Sequence, residues 1–307
     1  MRFRLFHVLL LASIALLARA GEYRPPRLAS GEVDLQGVWA HTNLTPFERP
    51  EDMTSLVITR EQAAQIERKI AASNDDLSRP AEPAVYFSER SIEPIRGELR
   101  SSIIIEPVDG LIPGNDVFKE LVKKARGGVL TAFDGPEARP AAERCLGAPS
   151  ASPPVMLVPS GDLRQIVQTP RAIVISSEEL HEARVIRMNA KHAPPAVTSW
   201  LGDSIGWWDG ATLVIETTNF APTSAARMSP NGMFFVSPGT VVVERFTRVS
   251  EDEVSYTFSV TDPMYYTQPW RGETRFHRST ERMLEYACHE GNYSMAYGLQ
   301  GARVATQ

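Results

Sequence analysis

The stretch from residue 200 to residue 220, WLGDSIGWWDGATLVIETTNF, decides the fold class that the sequence predicts. Two runs rich in aromatic and β-branched residues flank the dipeptide Asp209-Gly210, which can adopt the positive φ angles of a tight hairpin turn. We therefore predict a β-hairpin in which Asp203 lies opposite Glu216. Because cross-strand partners project to the same side, one face of this hairpin is predicted to carry an apolar lining that ends in two carboxylates. The members of that face are Trp207, Thr212, Ile205, Val214, Asp203 and Glu216.

The second half of the chain continues the same β pattern. Outside the hairpin, strands are predicted at residues 165–169, 172–176, 180–188, 240–249, 254–262, 270–278 and 283–290. Over residues 254–262 apolar side chains alternate with Ser and Thr, which is typical of a sheet with one buried and one wet face. Sequential hairpins leave exposed strand edges unless the sheet closes on itself. We therefore expect a mainly β fold, an antiparallel meander that forms a lipocalin-like barrel or a strongly curved sheet.

The first half of the chain is predicted to be an extension that contains two helices. One helix covers residues 59–72, where Thr59 and Gln62 have the spacing of a capping box, and the other covers 117–126 with Asp116 as its cap. Short strands are predicted at 34–40 and 103–105, and an irregular Gly- and Pro-rich connector at 127–163. The predicted organisation is a signal peptide over 1–20, the N-terminal extension over 21–163 and the β-barrel domain over 164–307.

The N-terminus indicates export. Arg2 and Arg4 precede an apolar run, and Ala18-Arg19-Ala20 fits the small-residue site at which a secretory signal peptide is cleaved. The alternative is an uncleaved anchor. Cleavage removes three arginines and takes the formal charge from −5 to −8. An acidic chain without a Lys/Arg cluster lacks the basic surface that binds nucleic acid. No later segment has the roughly 18 apolar residues of a transmembrane span. A periplasmic or secreted protein is expected.

The chain has two cysteines, Cys145 and Cys288. An even number of cysteines in an exported chain favours a disulfide, which we predict between these two. The alternative is a reactive thiol at Cys288, next to His289.

The sequence lacks any strong catalytic motif, so the candidate catalytic residues are polar residues on strands that ought to be apolar. Glu216 and Asp203 would lie close enough for mutual repulsion to raise one carboxyl pKa and create an acid/base couple. Alternatively, both face water or are neutralised by Arg245 or Arg271. Counting back from the turn at 250–253 places Arg245 opposite Phe258 on the inward face, where it would need a carboxylate or an anionic ligand group.

Two histidines complete the catalytic candidates. His181 opens the strand at 180–188, in which Glu182 and Arg184 share the opposite face, either as a solvated ion pair or as an inward charge pair that orients a ligand. His289 and Glu290 lie in the string EYACHEGNY, where His289 is a candidate general base. The alternatives there are a structural role and a metal site of both histidines with Glu290. We predict neither a metal nor a cofactor.

The block from residue 164 to residue 293 resembles a large group of exported bacterial proteins. They share a QIVQTP strand, an H-[DE]-A-R strand, the G-x-W-x-G-x-x-LVxETTNF hairpin, an ERF strand and a terminal EYACHEGNY. The chain departs from the group at Trp207, Asp209 and Ala211, where the group often has Arg, Glu and Asp. The resemblance implies export and a shared β core, and it supplies no reaction.

These observations lead to a functional expectation. The barrel is expected to enclose a pocket for a small apolar or aromatic molecule, lined by Trp207, Tyr256, Phe258 and Tyr286. If the protein is an enzyme, its residues suit cofactor-free isomerisation, elimination or hydrolysis, with His181, Glu216, Arg245, His289 and Glu290 as polar groups. The alternatives are a non-catalytic ligand carrier and a structural protein of the cell envelope. The oligomeric state stays open.

Overall fold

A computed structural model of the chain describes residues 23–74, 91–128, 133, 135–136, 144–145, 152–156, 163–222, 227–229 and 232–305. The predicted signal peptide over 1–20 and much of the predicted connector over 127–163 lie outside these residues. In chain order the strands are β1 (Gly37–Ala40), β2 (Ile104–Glu106), β3 (Leu163–Gln168), β4 (Ala172–Ser177), β5 (Ala183–Met188), β6 (Asp203–Asp209), β7 (Thr212–Thr218), β8 (Arg227–Ser229), β9 (Gly232–Phe234), β10 (Val241–Arg248), β11 (Glu253–Thr261) and β12 (Trp270–Ser279).

Nine strands form a closed barrel, which confirms the predicted mainly β barrel. The order around the barrel is β1-β3-β4-β5-β6-β7-β10-β11-β12, and β12 pairs back to β1. Neighbours are antiparallel except β5 and β6, which run parallel because the connection over residues 189–202 carries the chain back along the barrel. Strand β2 adds to the first part of β12, and β8 pairs with β9 separately.

The described residues also form helices α1 (Arg60–Asn74), α2 (Asp116–Gly128) and α3 (Ser294–Ala305). The capping box of α1 is present: the amide of Thr59 donates to Gln62 Oε1 at 2.9 Å, and the amide of Gln62 donates to Thr59 Oγ1 at 3.3 Å. The cap of α2 is Asn115, whose Oδ1 accepts from the amide of Phe118 at 3.0 Å, rather than Asp116. None of the helices in the described part of the chain combines the length and hydropathy needed to cross a bilayer.

Side chains fill the interior of the barrel. The inward-facing residues that are buried include Trp39, Arg164, Ile166, Ile173, Ile175, Ile186, Leu213, Ile215, Phe246, Tyr256, Phe258 and Phe276. At one end the segment with buried Val33 and Leu35 crosses the barrel, tied by a bond from the amide of Leu35 to Gln168 Oε1 at 2.5 Å. At the other end Phe47 and Phe234 pack on Trp270. The interior that we expected to be a hollow pocket is a packed core over the described residues.

The hairpin over 200–220 forms, but its register differs from the prediction by two residues. Asp209 pairs with Thr212, so the loop is Gly210 and Ala211, and Ile205 rather than Asp203 lies opposite Glu216. Of these two loop residues only Gly210 has the left-handed backbone, with a φ of +62°. The added Asp209–Thr212 pair is supported by the bond from Arg245 to Asp209 Oδ2 at 2.6 Å.

Strands β10 and β11 pair one residue away from the predicted register. Glu244 lies opposite Phe258, and Arg245 lies opposite Thr257. Because side chains alternate between faces, this single step puts Glu244 in the core and Arg245 on the outer face, the reverse of the prediction. In this register Glu244 has a buried arginine, Arg184, as its partner.

The predicted last strand over 283–290 does not form. Strand β12 already pairs with β11 on one side and with β1 and β2 on the other, so closure leaves it no free edge. The chain turns away after Ser279, and Cys288 in that segment forms the predicted disulfide with Cys145. Helix α3 follows, and the sequence prediction missed it.

Candidate functional site

Four side chains form a polar cluster on the outer face of the barrel, where β5, β6 and β7 lie side by side. We call it the His192 cluster, and its members are Arg187, His192, Asp203 and Glu216. Arg187 lies opposite Ile205, and Ile205 lies opposite Glu216, so a charged residue stands on each side of one apolar residue. Asp203 opens β6 two residues earlier on the same face. The hairpin face predicted from the sequence therefore holds two of the four members.

The loop over residues 189–202 brings His192 back over this face. Asn189 begins the loop in the left-handed region, with a φ of +52°. The side-chain amide of Asn219 then donates to the carbonyl oxygens of Ala193 at 3.0 Å and Pro194 at 3.3 Å. These hydrogen bonds attach the loop to the end of β7 directly after His192. The backbone next to His192 is therefore restrained, in addition to its ring.

The His192 ring lies between two carboxylates. Nδ1 is 2.8 Å from Asp203 Oδ2, and Nε2 is 3.2 Å from Glu216 Oε1. Asp203 also accepts from Arg187 Nη2, at 2.7 and 2.9 Å to its two oxygens, and from the amide of Ala193 at 2.9 Å. Burial opposes ionisation of Asp203, yet the bonds from Ala193, His192 and Arg187 together hold the pKa of its carboxyl below the ordinary value. Asp203 is thus a fixed carboxylate that orients the ring.

This arrangement can move a proton at Nε2. An imidazole ring donates to both carboxylates only when both of its nitrogens carry a proton, and otherwise the proton between Nε2 and Glu216 belongs to the carboxyl group. The Asp203 side chain is 18% exposed and the Glu216 side chain 34%, so the Nε2 side of the ring is the more open one. A His positioned by one carboxylate and facing a second has the parts of a general acid–base pair.

An apolar surface continues from the cluster along β6. Trp207 lies two residues beyond Ile205 on the same outer face and is 37% exposed. Across from it on β7 is Val214, followed on β10 by Arg245. Trp207 therefore lies on the outer surface, although we expected it to line the interior of the barrel. In this position its indole is an exposed apolar surface on the same face of the barrel as the His192 cluster.

A second charged cluster lies inside the barrel, and we call it the inner cluster. Both Nη atoms of Arg184 contact the two carboxylate oxygens of Glu244, with Nη2 at 3.1 Å from Oε1. The hydroxyl of Tyr256 donates to Glu244 Oε1 at 2.8 Å and accepts from the amide of Val155 at 2.8 Å. Burial raises the pKa of Tyr256 well above its ordinary value, and the charge of Glu244 adds to this effect. The side chains of Arg184, Glu244 and Tyr256 are all buried.

The other predicted site residues are spread over the molecule. Tyr256 and Phe258 lie in the packed core with ring centroids 5.6 Å apart, and Arg245 lies outside, bonded to Asp209. His289 and Glu290 are exposed in the turn that follows Cys288. Tyr286 is partly buried, and burial together with the charge of Glu179 raises its pKa. The backbone of His181 closes a short 3-10 turn before β5, and its side chain lies outside the described residues. Among the four catalytic candidates whose side chains are described, Glu216 and Arg245 lie on the outer face of the barrel, and His289 and Glu290 lie apart from them in the turn after Cys288.

The sequence prediction missed His192 and Arg187. The strand pattern of β5 assigns Arg187 to the outer face, but nothing in the sequence around it marks it as a site residue. His192 lies in the loop Lys191-His192-Ala193-Pro194-Pro195, and the position of this loop depends on the parallel pairing of β5 and β6. The long connection between two strong strand patterns was the available signal that the chain crosses back over the sheet. Within the described ranges, no three His, Cys, Asp or Glu side chains are arranged to hold a metal ion.

No protein-family model matches this chain, and neither a curated protein nor a solved structure matches it.

Proposed function

We propose that the protein is an exported β-barrel enzyme whose His192 cluster performs cofactor-free acid–base chemistry on a small molecule with an apolar or aromatic part. The observation that carries this proposal is the ring of His192, held at Nδ1 by Asp203 and facing the more exposed Glu216 at Nε2. Trp207 and Ile205 supply an apolar surface beside the ring on which the molecule rests. Export is supported by the N-terminal pattern, by the resemblance to exported bacterial proteins and by the disulfide of Cys145 with Cys288.

The chemistry follows from the cluster's contacts. Asp203 fixes the ring and favours a proton on Nδ1, so Nε2 is the atom that takes or gives a proton. Glu216 accepts the proton from Nε2 or returns it. No Ser or Cys side chain of the described residues is hydrogen-bonded to His192, which favours isomerisation, elimination or attack by water over a covalent mechanism.

The test uses two chromogenic probes that report different reactions. The ring opening of 5-nitrobenzisoxazole requires abstraction of a proton from carbon, and 4-nitrophenyl acetate reports hydrolysis. His192→Asn is expected to lower the rate on the probe that the protein accepts by at least about 100-fold, because positioned acid–base groups contribute roughly 100- to 10,000-fold. Glu216→Gln is expected to lower the same rate, with an unchanged melting temperature.

The matched control is His277→Asn. The Nε2 atom of His277 lies 2.5 Å from Glu93 Oε2, and Arg275 donates to the same carboxylate at 3.0 Å, so this site also combines His, carboxylate and Arg. It lacks a second carboxylate on the ring in the described part of the chain. Rates that fall equally in both variants, or in neither, would contradict the proposal.

A second candidate is a structural or interaction protein of the cell envelope. The packed interior of the barrel favours it over a ligand carrier, because a carrier of the expected kind needs a cavity inside the barrel. The two candidates separate in the same experiment, since a structural protein gives no rate that depends on His192.

A further inference from the structure

The outer face of the barrel carries charged residues on some strands and none on others. In barrel order β6, β7, β10, β11 and β12 each direct at least one charged side chain outward, such as Glu216 on β7 and Arg245 on β10. Over the described residues, the outer faces of β3, of β4 and of β5 before Arg187 carry no charged residue. We call this surface the valine face, and its members are Gln165, Val167, Ala172, Val174, Ser176, Ala183 and Val185.

Three valines form a row across the middle of the valine face. Val167 pairs with Val174, and Val174 pairs with Val185, so their side chains project next to one another. Val167 is 43% exposed and Val185 is 53% exposed. Single exposed apolar residues are normal on a protein surface, whereas a contiguous group of them without charges is typical of an interface. The row therefore favours a surface that docks against another protein.

The two ends of the valine face carry opposite charges. The turn between β3 and β4 contains the exposed Arg171 and no acidic residue, whereas the connection between β4 and β5 over residues 178–182 contains three glutamates and neither Lys nor Arg. A two-fold axis that lies between two such faces, perpendicular to the strands, makes the strands of the two copies run in opposite directions. The basic end of each copy then meets the acidic end of the other. This charge pattern fits a second copy of the same chain.

The area of the valine face sets the expected strength of this contact. Each of the three strands is six residues long. With a spacing of about 4.8 Å between strands and about 3.4 Å per residue, they cover roughly 300 Å². A standard interface buries about 800 Å² on each partner, so the valine face supplies the centre of a small interface and its charged ends supply the rim. A weak dimer, with a dissociation constant in the micromolar range, is therefore expected.

We propose that two copies of this chain associate through their valine faces as a two-fold symmetric dimer, with the two rows of valines packed against each other. Face-to-face packing of sheets buries such rows between them. Val174 lies on the central strand of the three, so it is the valine nearest the axis and meets its counterpart in the second copy.

The experiment is sedimentation equilibrium of the full chain over protein concentrations from about 1 to about 500 μM. The unaltered chain is expected to change from monomer to dimer over this range. Val185→Lys is expected to weaken the association at least about tenfold, because it places a charge in the apolar centre of the interface. Val108→Lys is the matched control: Val108 is an 87% exposed valine outside the valine face, and this variant is expected to associate like the unaltered chain.

A cysteine variant tests the position of the axis. Val174→Cys is expected to form a disulfide-linked dimer on mild oxidation, because the two copies of this residue are adjacent in the proposed dimer. Val108→Cys is expected to stay largely unlinked at the same protein concentration.

Three results would overturn the proposal: a monomer at every concentration, equal weakening by Val185→Lys and Val108→Lys, or equal linkage of the two cysteine variants. The first of these is measured on the unaltered chain and does not depend on any variant folding. The inference is independent of the function proposed for the His192 cluster, because association is measured without a substrate. His192→Asn is expected to associate normally, so loss of the acid–base rate in that variant with an unchanged dimer separates the two proposals.

Discussion

The two faces of the barrel each carry an arginine–carboxylate cluster, and the clusters differ in their access to water. In the inner cluster the side chains of Arg184 and Glu244 are 2% and 0% exposed. In the His192 cluster the side chains of Arg187 and Asp203 are 41% and 18% exposed. Both pairs have two hydrogen bonds between guanidinium and carboxylate, from both Nη atoms of Arg184 and from Nη2 alone of Arg187. The pairs therefore combine the same charged groups in different environments.

This difference separates a stabilising role from a chemical one. A buried ion pair has given up the hydration of both charges, and removal of one partner leaves the other charge in an apolar interior. A half-exposed pair keeps part of its hydration, so its loss is mild, and water or a small molecule can reach its proton. We therefore expect substitutions inside to act on stability and substitutions outside to act on activity.

The largest effect is expected for Glu244→Gln. This change leaves the guanidinium of Arg184 buried without a counter-charge and weakens the acceptor of the Tyr256 hydroxyl. The free energy of unfolding should fall by about 3–5 kcal/mol, measured by urea denaturation followed by far-UV circular dichroism. Asp203→Asn serves as the control on the outer face and is expected to lower it by about 1 kcal/mol. Equal losses for the two variants would remove the distinction between the clusters.

Replacement of both inner charges tests whether the loss in Glu244→Gln comes from the unpaired charge of Arg184. In the double variant Arg184→Met with Glu244→Leu, no unpaired charge is left, so most of the stability lost in Glu244→Gln should return, to within about 2 kcal/mol of the unaltered chain. The single substitutions Arg184→Met and Glu244→Leu form a cycle with this double variant, and their losses are expected to be far from additive. Additive losses would mean that the pair is not coupled in the folded protein.

Parts of this comparison were predictable from the sequence, and the reason lies in the period of a strand. The hairpin over 200–220 placed Asp203 and Glu216 on one face, and this survived a register difference of two residues, because an even step leaves each side chain on its face. The odd step between β10 and β11 exchanged Glu244 and Arg245 instead. The alternation of apolar residues alone does not determine the register of β10 against β11, because the register depends on the pairing of Glu244 with Arg184, a residue distant in the sequence.

The contribution of His192 could not be predicted, because it depends on a loop. Strand patterns locate residues on strands, whereas the position of residues 189–202 follows from the parallel pairing of β5 with β6 and from the bonds of Asn219. Helix α3 was missed for a related reason: the barrel closed before the last predicted strand could join it, and the chain that followed was free to form a helix.

The pH dependence of stability offers a smaller test of the outer cluster. The pKa of Asp203 is lowered in the folded protein from an ordinary value of 3.8, so its contribution to stability is present above that value and is lost as the pH falls through the folded pKa. The difference in unfolding free energy between the unaltered chain and Asp203→Asn should therefore shrink as the pH is lowered from 6 toward about 3. A difference that stays constant over this range would mean that Asp203 is not held as an anion by Arg187 and Ala193.

The smallest effect is expected for Arg245→Gln, which tests the register on which the comparison rests. Arg245 and Asp209 form a pair whose side chains are 43% and 61% exposed, and pairs of this kind contribute roughly 0–1 kcal/mol. If β10 were shifted by one residue, Arg245 would occupy the interior position of Glu244, and its loss would be severe. A decrease of several kcal/mol in the urea experiment would therefore assign Arg245 to the core and move Glu244 to the surface. A change below about 1 kcal/mol fits the observed pairing of Arg245 with Thr257, and with it the burial of Glu244 against Arg184.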